Sequence, residues 1–325
     1  MRRTLTLLAK ATISALLLYF SLRWVDVSAF TTRLAALKPG WVMLAVFLLA
    51  VQTALLAARW QQIAVACGAR LGFASALQIS FIAAFFNQVL PSTVGGDGAR
   101  IWMLARNGAG WPIAVYSVLI DRIVGVFILA LITVFCLPWT LQLIYEPAAR
   151  AVLFVIAFGA LTAPLVFLLI GTRFQRWFDR RAITRHLAAA SRASVALCQS
   201  RRSLSIVIAC SIAIHLLTIA AAWGCIKAVA APVSFAQILF LLPPVLLVAT
   251  VPISIAGWGV RESTMIATFT YAGLAQSDGL TLSILFGAAY FLLGIPGGII
   301  WIISGLRMEA FKRAVADADS ATGNP

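Results

Sequence analysis

Long apolar stretches separated by short polar segments dominate the pattern of this chain. An apolar stretch of about 17 to 25 residues is long enough to cross a bilayer as a helix. Lipid offers no hydrogen bonds to the backbone, so most other spanning structures are excluded. The pattern therefore predicts an all-α integral membrane protein, a polytopic helical bundle. The uninterrupted spans are predicted at residues 4–22, 41–58, 112–136, 151–171, 203–223 and 280–304.

Two further apolar stretches contain interruptions that are unusual for a membrane helix. Residues 72–104 form two arms around the segment PSTVGGDGAR, which covers residues 91–100. Residues 234–272 form two arms around Pro243-Pro244 and around PISIAGWGVR, which covers residues 252–261. Each stretch predicts a broken helical hairpin, either re-entrant or fully spanning.

The two interruptions resemble each other residue by residue. Without a gap, the aligned pairs are Pro91 with Pro252, Gly96 with Gly257, Gly98 with Gly259, and Arg100 with Arg261. We divide the chain into two half-repeats, residues 1–138 and 150–305, each with the order span, span, broken hairpin, span. The two halves are predicted to enter the membrane from opposite sides. Such an inverted-topology repeat is typical of secondary transporters, whose substrate sites form where discontinuous helices meet near the midplane.

Composition and charge agree with a membrane protein. With 62% apolar residues, 11% charged residues and a mean hydropathy of +1.00, the chain has more apolar surface than a soluble core can bury. The net charge of +15 does not indicate nucleic acid, because most Lys and Arg residues lie in segments predicted to be cytoplasmic. The positive-inside rule predicts this distribution for a bacterial inner-membrane protein. Both termini, including the tail 306–325, are therefore expected in the cytoplasm.

The loop at residues 173–202 is rich in arginine and is also predicted to be cytoplasmic. It is either a basic amphipathic helix on the anionic inner leaflet or a loop whose charge only sets topology. The five cysteines show no CxxC spacing and indicate neither a disulfide framework nor a metal site. No cofactor is expected.

Arg100 and Arg261 end the two interruptions, and each precedes a predicted helix. A charge within a bilayer is costly and is usually kept for a partner or a ligand. Helix N-termini add partial positive charge and free N–H groups. We predict that these arginines bind a lipid phosphate. The structural alternative is that Arg261 pairs with Glu262 or Asp97 and that Arg100 lies at the cytoplasmic interface.

Asp121 and Arg122 lie about ten residues into their span, which corresponds to a depth of roughly 15 Å. They form either a static ion pair or part of the site, and the two roles are compatible. Asp97, Asp121 and Glu262 are also candidates for proton coupling. His215 is expected to be a buried, hydrogen-bonded histidine.

Residues around the interruptions are expected to shape the helix breaks. Asn87 and Gln88, one turn before Pro91, are predicted to cap or line the first break, or to hydrogen-bond across helices. Glycines permit backbone conformations and close approaches that side chains block, although small residues also allow tight helix packing. The predicted break residues are Pro91, Gly95, Gly96, Gly98, Pro252, Gly257 and Gly259.

Three motifs resemble a known family: NQVLPSTVGGDGAR, SVLIDRIVG beginning at Ser117, and PISIAGWGVRE. Together they look like the lysylphosphatidylglycerol synthase transmembrane region, a flippase-like family, over nearly the whole chain. The resemblance implies a multi-span inner-membrane protein related to the part of these synthases that moves lipid between leaflets. Some relatives are associated with hopanoid or glycolipid pathways. By resemblance, the functional positions are Asn87, Pro91, Gly95, Gly96, Asp97, Arg100, Asp121, Arg122, Gly257, Gly259, Arg261 and Glu262.

The chain departs from the bifunctional synthases at its C-terminus. Those proteins continue into a soluble domain that transfers an amino acid from tRNA, whereas this chain stops at Pro325 after a short tail. We therefore expect no synthase activity and no catalysis.

The function that the sequence predicts is translocation of an anionic or amphiphilic lipid, with membrane lipids as partners and no nucleic acid. One alternative is a non-catalytic partner of the enzymes of a lipid-, hopanoid- or glycolipid-synthesis pathway. The other is a membrane enzyme acting on lipid headgroups, but the sequence shows no HExxH, Ser/His/Asp or paired-histidine grouping.

Overall fold

The computed structural model describes residues 35, 37–90, 95–173, 182–250 and 259–304. Within these ranges the regular elements are all helices, as the sequence predicts, and no strand occurs among them. The described α-helices are α1 (Pro39–Ala66), α2 (Phe73–Val89), α3 (Gly95–Leu104), α4 (Trp111–Leu143), α5 (Pro147–Thr172), α6 (Ala182–Gln199), α7 (Arg201–Ala228), α8 (Phe235–Ala249), α9 (Val260–Tyr271) and α10 (Gln276–Ile303). A π-helical turn, Ala105–Ala109, follows α3.

Five of the described helices, namely α1, α4, α5, α7 and α10, are long and apolar enough to cross a membrane. They correspond to five of the six predicted uninterrupted spans, so the chain is a polytopic membrane protein. Helix α4 continues through Pro138 to Leu143, whereas the predicted span ended at residue 136. The predicted span at residues 4–22 and the tail 306–325 lie outside the described residues.

Helix starts follow local sequence signals. Pro39 and Pro147 occupy the first turns of α1 and α5, where a missing N–H costs nothing because that group has no partner within the helix. Ser234 caps α8: its Oγ accepts a hydrogen bond from the Gln237 N–H at 3.2 Å. The Gln237 side chain in turn accepts the Ser234 N–H at 2.8 Å, which completes a capping box.

The helices end and restart at the two predicted interruptions. Helix α2 ends at Val89, Leu90 is extended (φ −84°, ψ 137°), and α3 begins at Gly95. Helix α8 ends at Ala249, and α9 begins after Gly259, which has a positive φ of 86°. Glycine adopts this left-handed conformation without the steric cost that a Cβ imposes.

Pro243 and Pro244 do not interrupt the second hairpin, so that part of the prediction is wrong. Both prolines are buried inside the continuous helix α8. A proline removes one backbone donor, and neighbouring helices allow a membrane helix to tolerate that loss. The interruption is confined to the segment between Ala249 and Val260.

Helix α6 lies within the predicted basic loop and packs against α5. Ala188 and Ala190 are buried, and the hydroxyl of Ser191 donates to the Phe167 carbonyl at 2.6 Å. The part of the loop that the structure describes is therefore helical and attached to the bundle through small residues.

The helix contacts of the first half have counterparts in the second half when α1, α2, α3 and α4 are matched with α7, α8, α9 and α10, in that order. Helices α1 and α7 pack extensively on each other. In the first hairpin, α2 packs on α10 and α3 packs on α4. In the second hairpin, the equivalent contacts are those of α8 with α4 and of α9 with α10. Helix α1 contacts α2 and α4 as α7 contacts α8 and α10. Each hairpin thus contacts the final span of both halves.

Close helix contacts hold the first hairpin in place. A Cβ on Gly297 of α10 would collide with the Phe81 carbonyl of α2, and one on Gly298 would lie 2.9 Å from the Phe85 ring. Such small residues let membrane helices approach closely. Beside this crossing, the Trp301 ring lies 5.0 Å from that of Phe86 and 6.0 Å from that of Trp102.

Candidate functional site

Asp121 of α4 lies at the centre of a buried charge cluster. Its Oδ1 accepts a hydrogen bond from Arg59 Nε of α1 at 2.8 Å, and its Oδ2 accepts one from Arg100 Nη2 of α3 at 2.9 Å. The Asp121 side chain is 1% exposed, and those of Arg59 and Arg100 are 5% and 4% exposed. Arg59 Nη1 also donates to Ser211 Oγ of α7 at 3.2 Å. One carboxylate therefore connects three helices.

Asp97 and Arg122 form the second part of this cluster. Arg122 binds Asp97 through two hydrogen bonds, from Nε to Oδ2 at 2.6 Å and from Nη2 to Oδ1 at 3.0 Å. Such a two-pronged arginine–carboxylate pair is among the stronger charge-assisted contacts. The Asp97 side chain is nearly buried, whereas that of Arg122 is half exposed.

The guanidinium of Arg100 has several neighbours of different kinds. Besides its bond to Asp121, its Nη1 lies 3.6 Å from Asp97 Oδ1. Its Cζ lies 4.4 Å from the centroid of the Trp60 ring, which makes a cation–π contact. The buried Nε of Arg100 makes no hydrogen bond within the described part of the chain.

The first hairpin is closed by a short contact between its arms. The Gly96 N–H donates to Asn87 Oδ1 at 2.9 Å. Asn87 therefore caps a backbone N–H in the first turn of α3, which is one of the roles predicted for it. A Cβ on Gly96 would lie 2.6 Å from Asn87 Oδ1 and closer still to the Ala83 carbonyl. On Gly95, a Cβ would lie 2.8 Å from Leu90 Cβ. Both positions therefore require glycine for close approach.

A polar cavity of about 230 Å³ adjoins the charge cluster. Both halves contribute to its wall, including Thr250 at the end of α8, where the second interruption begins. The polar residues that line it are Gln52, Thr53, Arg59, Ser80, Asn87, Gln88, Asp97, Arg100, Asp121, Arg122, His215, Thr250 and Tyr290.

The second hairpin carries a smaller polar group. Arg261 Nε donates to Ser283 Oγ of α10 at 2.9 Å, and Arg261 Nη2 donates to Glu262 Oε1 at 2.8 Å. Glu262 is fully buried and accepts the Gly259 N–H at 2.6 Å through Oε2. Each hairpin arginine thus contacts the last span of its own half, and Ser283 aligns with Arg122 at the same offset as the repeated motif.

The structure brings together some of the predicted site residues and separates others. Asn87, Asp97, Arg100, Asp121 and Arg122 all line the polar cavity. Gly98 is half buried on α3. Arg261 and Glu262 pair with each other, as the structural alternative proposed, and lie outside the described cavity lining. Whether they bind substrate remains a prediction. The predicted break residues Pro91, Pro252 and Gly257 lie outside the described residues.

Asp121 and Arg122 both have ion-pair partners and both line the polar cavity, in agreement with the two compatible roles predicted for them. Arg100 is buried within the bundle, since only 3% of the residue is exposed. Asp121 does not pair with its neighbour Arg122, because each binds a partner on another helix.

Sequence reasoning missed Arg59. The predicted span ends at residue 58, which would place Arg59 at its cytoplasmic end, but α1 continues for a further two turns to Ala66 and Arg59 is buried. The signal that could have identified it is the apolar sequence that resumes after it, Ile63 to Ala66. His215 is hydrogen-bonded as predicted, since its Nε2 lies 3.1 Å from the Gly125 carbonyl oxygen, but it is only partly buried.

A larger groove of about 450 Å³ lies between α4, α5, α6 and α7. The described residues that line it are almost wholly apolar, and none of them is charged. It uses a different face of α4 from the polar cavity, because the two share no lining residue. The groove offers a surface for hydrocarbon, and the polar cavity is the candidate functional site.

The fold and the site define a class: polytopic membrane proteins in which interrupted helices enclose a polar, charged site. Within that class, the chain belongs to the family described as the lysylphosphatidylglycerol synthase TM region, which matches residues 7–298. This confirms the family resemblance. The family indicates a membrane protein linked to lipid metabolism or transport. No curated protein and no solved structure matches the chain.

Proposed function

We propose that the protein moves an anionic or amphiphilic lipid between the leaflets of the bacterial inner membrane. The lipid headgroup passes through the polar cavity while the acyl chains stay in the surrounding bilayer. The observation that carries this proposal is the cavity itself, where five charged side chains from α1, α3 and α4 gather inside an otherwise apolar bundle. Charge at such a position is costly and typically marks a substrate or ion pathway.

The matched helix contacts support a mechanism for this movement. We propose that the two halves form an inverted repeat, so that exchanging their conformations exposes the cavity first to one side of the membrane and then to the other. Residues from both halves line the cavity, as alternating access requires. In this arrangement both termini face the cytoplasm, which agrees with the distribution of Lys and Arg along the chain.

In this proposal the protein is a transporter without a catalytic role. A reconstitution experiment separates this function from its alternatives. Purified protein in liposomes is expected to move a fluorescent anionic phospholipid between the two leaflets without changing it chemically. Chemical conversion of the lipid would indicate a headgroup enzyme. Neither movement nor conversion would indicate a partner of a synthesis pathway.

The two hairpin arginines provide the mutational test. Arg100→Ala and Arg261→Ala are each expected to abolish lipid movement while leaving membrane insertion intact, because each arginine fixes its hairpin to the final span of its half. The matched control is Arg201→Ala, which alters an exposed arginine at the start of α7 and should retain wild-type movement. Wild-type rates in both hairpin variants would contradict the proposed site.

A further inference from the structure

The charge cluster of the first half is not electrically balanced. Three guanidinium groups, those of Arg59, Arg100 and Arg122, share the carboxylates of Asp97 and Asp121. One positive charge is therefore left over among the charged residues that line the polar cavity. In the second half, by contrast, Arg261 and Glu262 balance each other. Arg122 is half exposed, but Arg59 and Arg100 are buried and both bind the single carboxylate of Asp121. A buried charge without a full counter-charge is unfavourable, so this part of the cluster favours binding of an anion.

Two hydrogen-bond donors in the cavity wall point to the same conclusion. Arg100 Nε and Ser80 Oγ are buried, and neither has a hydrogen-bond partner within the described part of the chain. Both residues line the polar cavity and both are 3% exposed. Buried polar groups are normally hydrogen-bonded. A guanidinium N–H and a hydroxyl in the wall of one cavity are donors that suit a phosphate or carboxylate oxygen.

We propose that the polar cavity binds an oxyanion carrying one negative charge, namely the phosphodiester of a lipid headgroup, with Arg100 Nε and Ser80 Oγ as hydrogen-bond donors. This inference rests on the proposed function and assigns the substrate's charged group to one place. It also makes the two halves unequal, because Arg261 is neutralised by Glu262 and does not contribute to anion binding.

Equilibrium binding to the full chain in uncharged detergent tests this assignment. The probe is dihexanoyl phosphatidylglycerol, which has one phosphodiester charge, and dihexanoylglycerol is the matched lipid without phosphate. The charged probe is expected to bind and the uncharged one is not. Inorganic phosphate should bind much more weakly than the charged lipid. Equal affinity for dihexanoylglycerol would overturn the oxyanion, and equal affinity for inorganic phosphate would overturn the lipid headgroup as its source.

Conservative variants locate the site. Ser80→Ala removes a hydroxyl that makes no hydrogen bond to the described chain, so folding is expected to be unaffected, while affinity for the charged probe falls roughly 3- to 10-fold. Arg100→Lys keeps the charge but removes the Nε donor, and it should weaken binding about 10-fold or more. Ser205→Ala and Arg106→Lys, both at exposed positions, are the matched controls. Unchanged affinity in both site variants would overturn the assignment.

Transport measured on the same proteins separates this inference from the proposed function. Lipid movement that shows no preference for a phosphodiester would overturn the oxyanion site and leave lipid translocation standing. Phosphodiester binding that depends on Ser80 and Arg100, without any lipid movement, would support the oxyanion site and overturn translocation. The expected result is that binding and movement both weaken in parallel across the Ser80 and Arg100 variants.

Discussion

Asp121 shows at the residue scale how buried charge organises this protein. Its two oxygens accept from arginines on α1 and α3, so a single carboxylate fixes three helices at one point. The net contribution of such a cluster to stability is modest, because desolvation offsets much of the attraction. Removal of one member is a different matter, since the partners remain buried without a counter-charge.

Asp121→Asn is therefore expected to destabilise the protein by roughly 3 to 5 kcal/mol, the usual cost of breaking a buried ion pair. The measurement is unfolding of the purified protein in detergent, followed by tryptophan fluorescence. Glu146→Gln, at an exposed carboxylate before α5, is the matched control and should unfold like the wild type. If the two variants unfold alike, Asp121 does not have the structural role described.

The residues of the cluster could be predicted only in part. Asp97, Arg100, Asp121 and Arg122 stand out because charges in apolar stretches are rare. Their partners could not be predicted from the sequence. Adjacent residues such as Asp121 and Arg122 do not face each other on a helix, and each binds a residue on another helix. Arg59 was misjudged since an arginine near a predicted span end usually marks the interface.

At the scale of elements, the second arms of the hairpins are too short to span the membrane. Helix α3 has 10 residues and α9 has 12, which corresponds to about 15 Å and 18 Å of helix. The hydrocarbon core is about 30 Å thick. These lengths favour the re-entrant alternative, in which each hairpin turns near the middle of the bilayer.

Gly96→Ala is expected to open the first hairpin, because the added methyl group would overlap the Ala83 carbonyl and Asn87. Overpacking of this kind typically costs about 1 to 3 kcal/mol, measured as the loss of unfolding free energy in detergent. The matched control is Gly159→Ala on α5, where a Cβ meets nothing within 4 Å. That substitution should be neutral or slightly stabilising. A similar loss in both variants would show that the arms do not depend on this contact.

Apolar stretches predicted the positions of the helices well. They predicted less well whether a helix continues through a proline or a glycine. The two motifs indicated where the helices are interrupted, but Gly95, Gly96 and Gly98 lie in the first turn of α3 and not in the break. Among the described break glycines, only Gly259 has a positive φ, which the absence of a Cβ permits. Proline was ambiguous: Pro243 and Pro244 remain inside α8, as do Pro138 in α4 and Pro164 in α5. Tertiary contacts, which the local sequence does not contain, decide whether a proline ends a membrane helix.

At the scale of the whole molecule, two independent observations favour a duplicated unit. The motif repeat concerns sequence, and the matched contacts concern packing. A duplicated unit predicts both, whereas an unrelated pair of glycine-rich segments predicts neither. Equivalent loops must then face opposite sides of the membrane if the second unit is inverted relative to the first.

Asn107 and Ala275 provide the test, because they are exposed and lie in the equivalent loops before α4 and α10. Each is replaced singly by cysteine in a variant whose five native cysteines are changed to serine or alanine. With a membrane-impermeant maleimide, Ala275→Cys is expected to react in intact spheroplasts. Asn107→Cys is expected to react only after the membrane is opened, since the basic residue Arg106 beside it favours the cytoplasm. Labelling of both from the same side would contradict inversion, and with it the alternating access of the cavity, even if the helices and the charge cluster are as described.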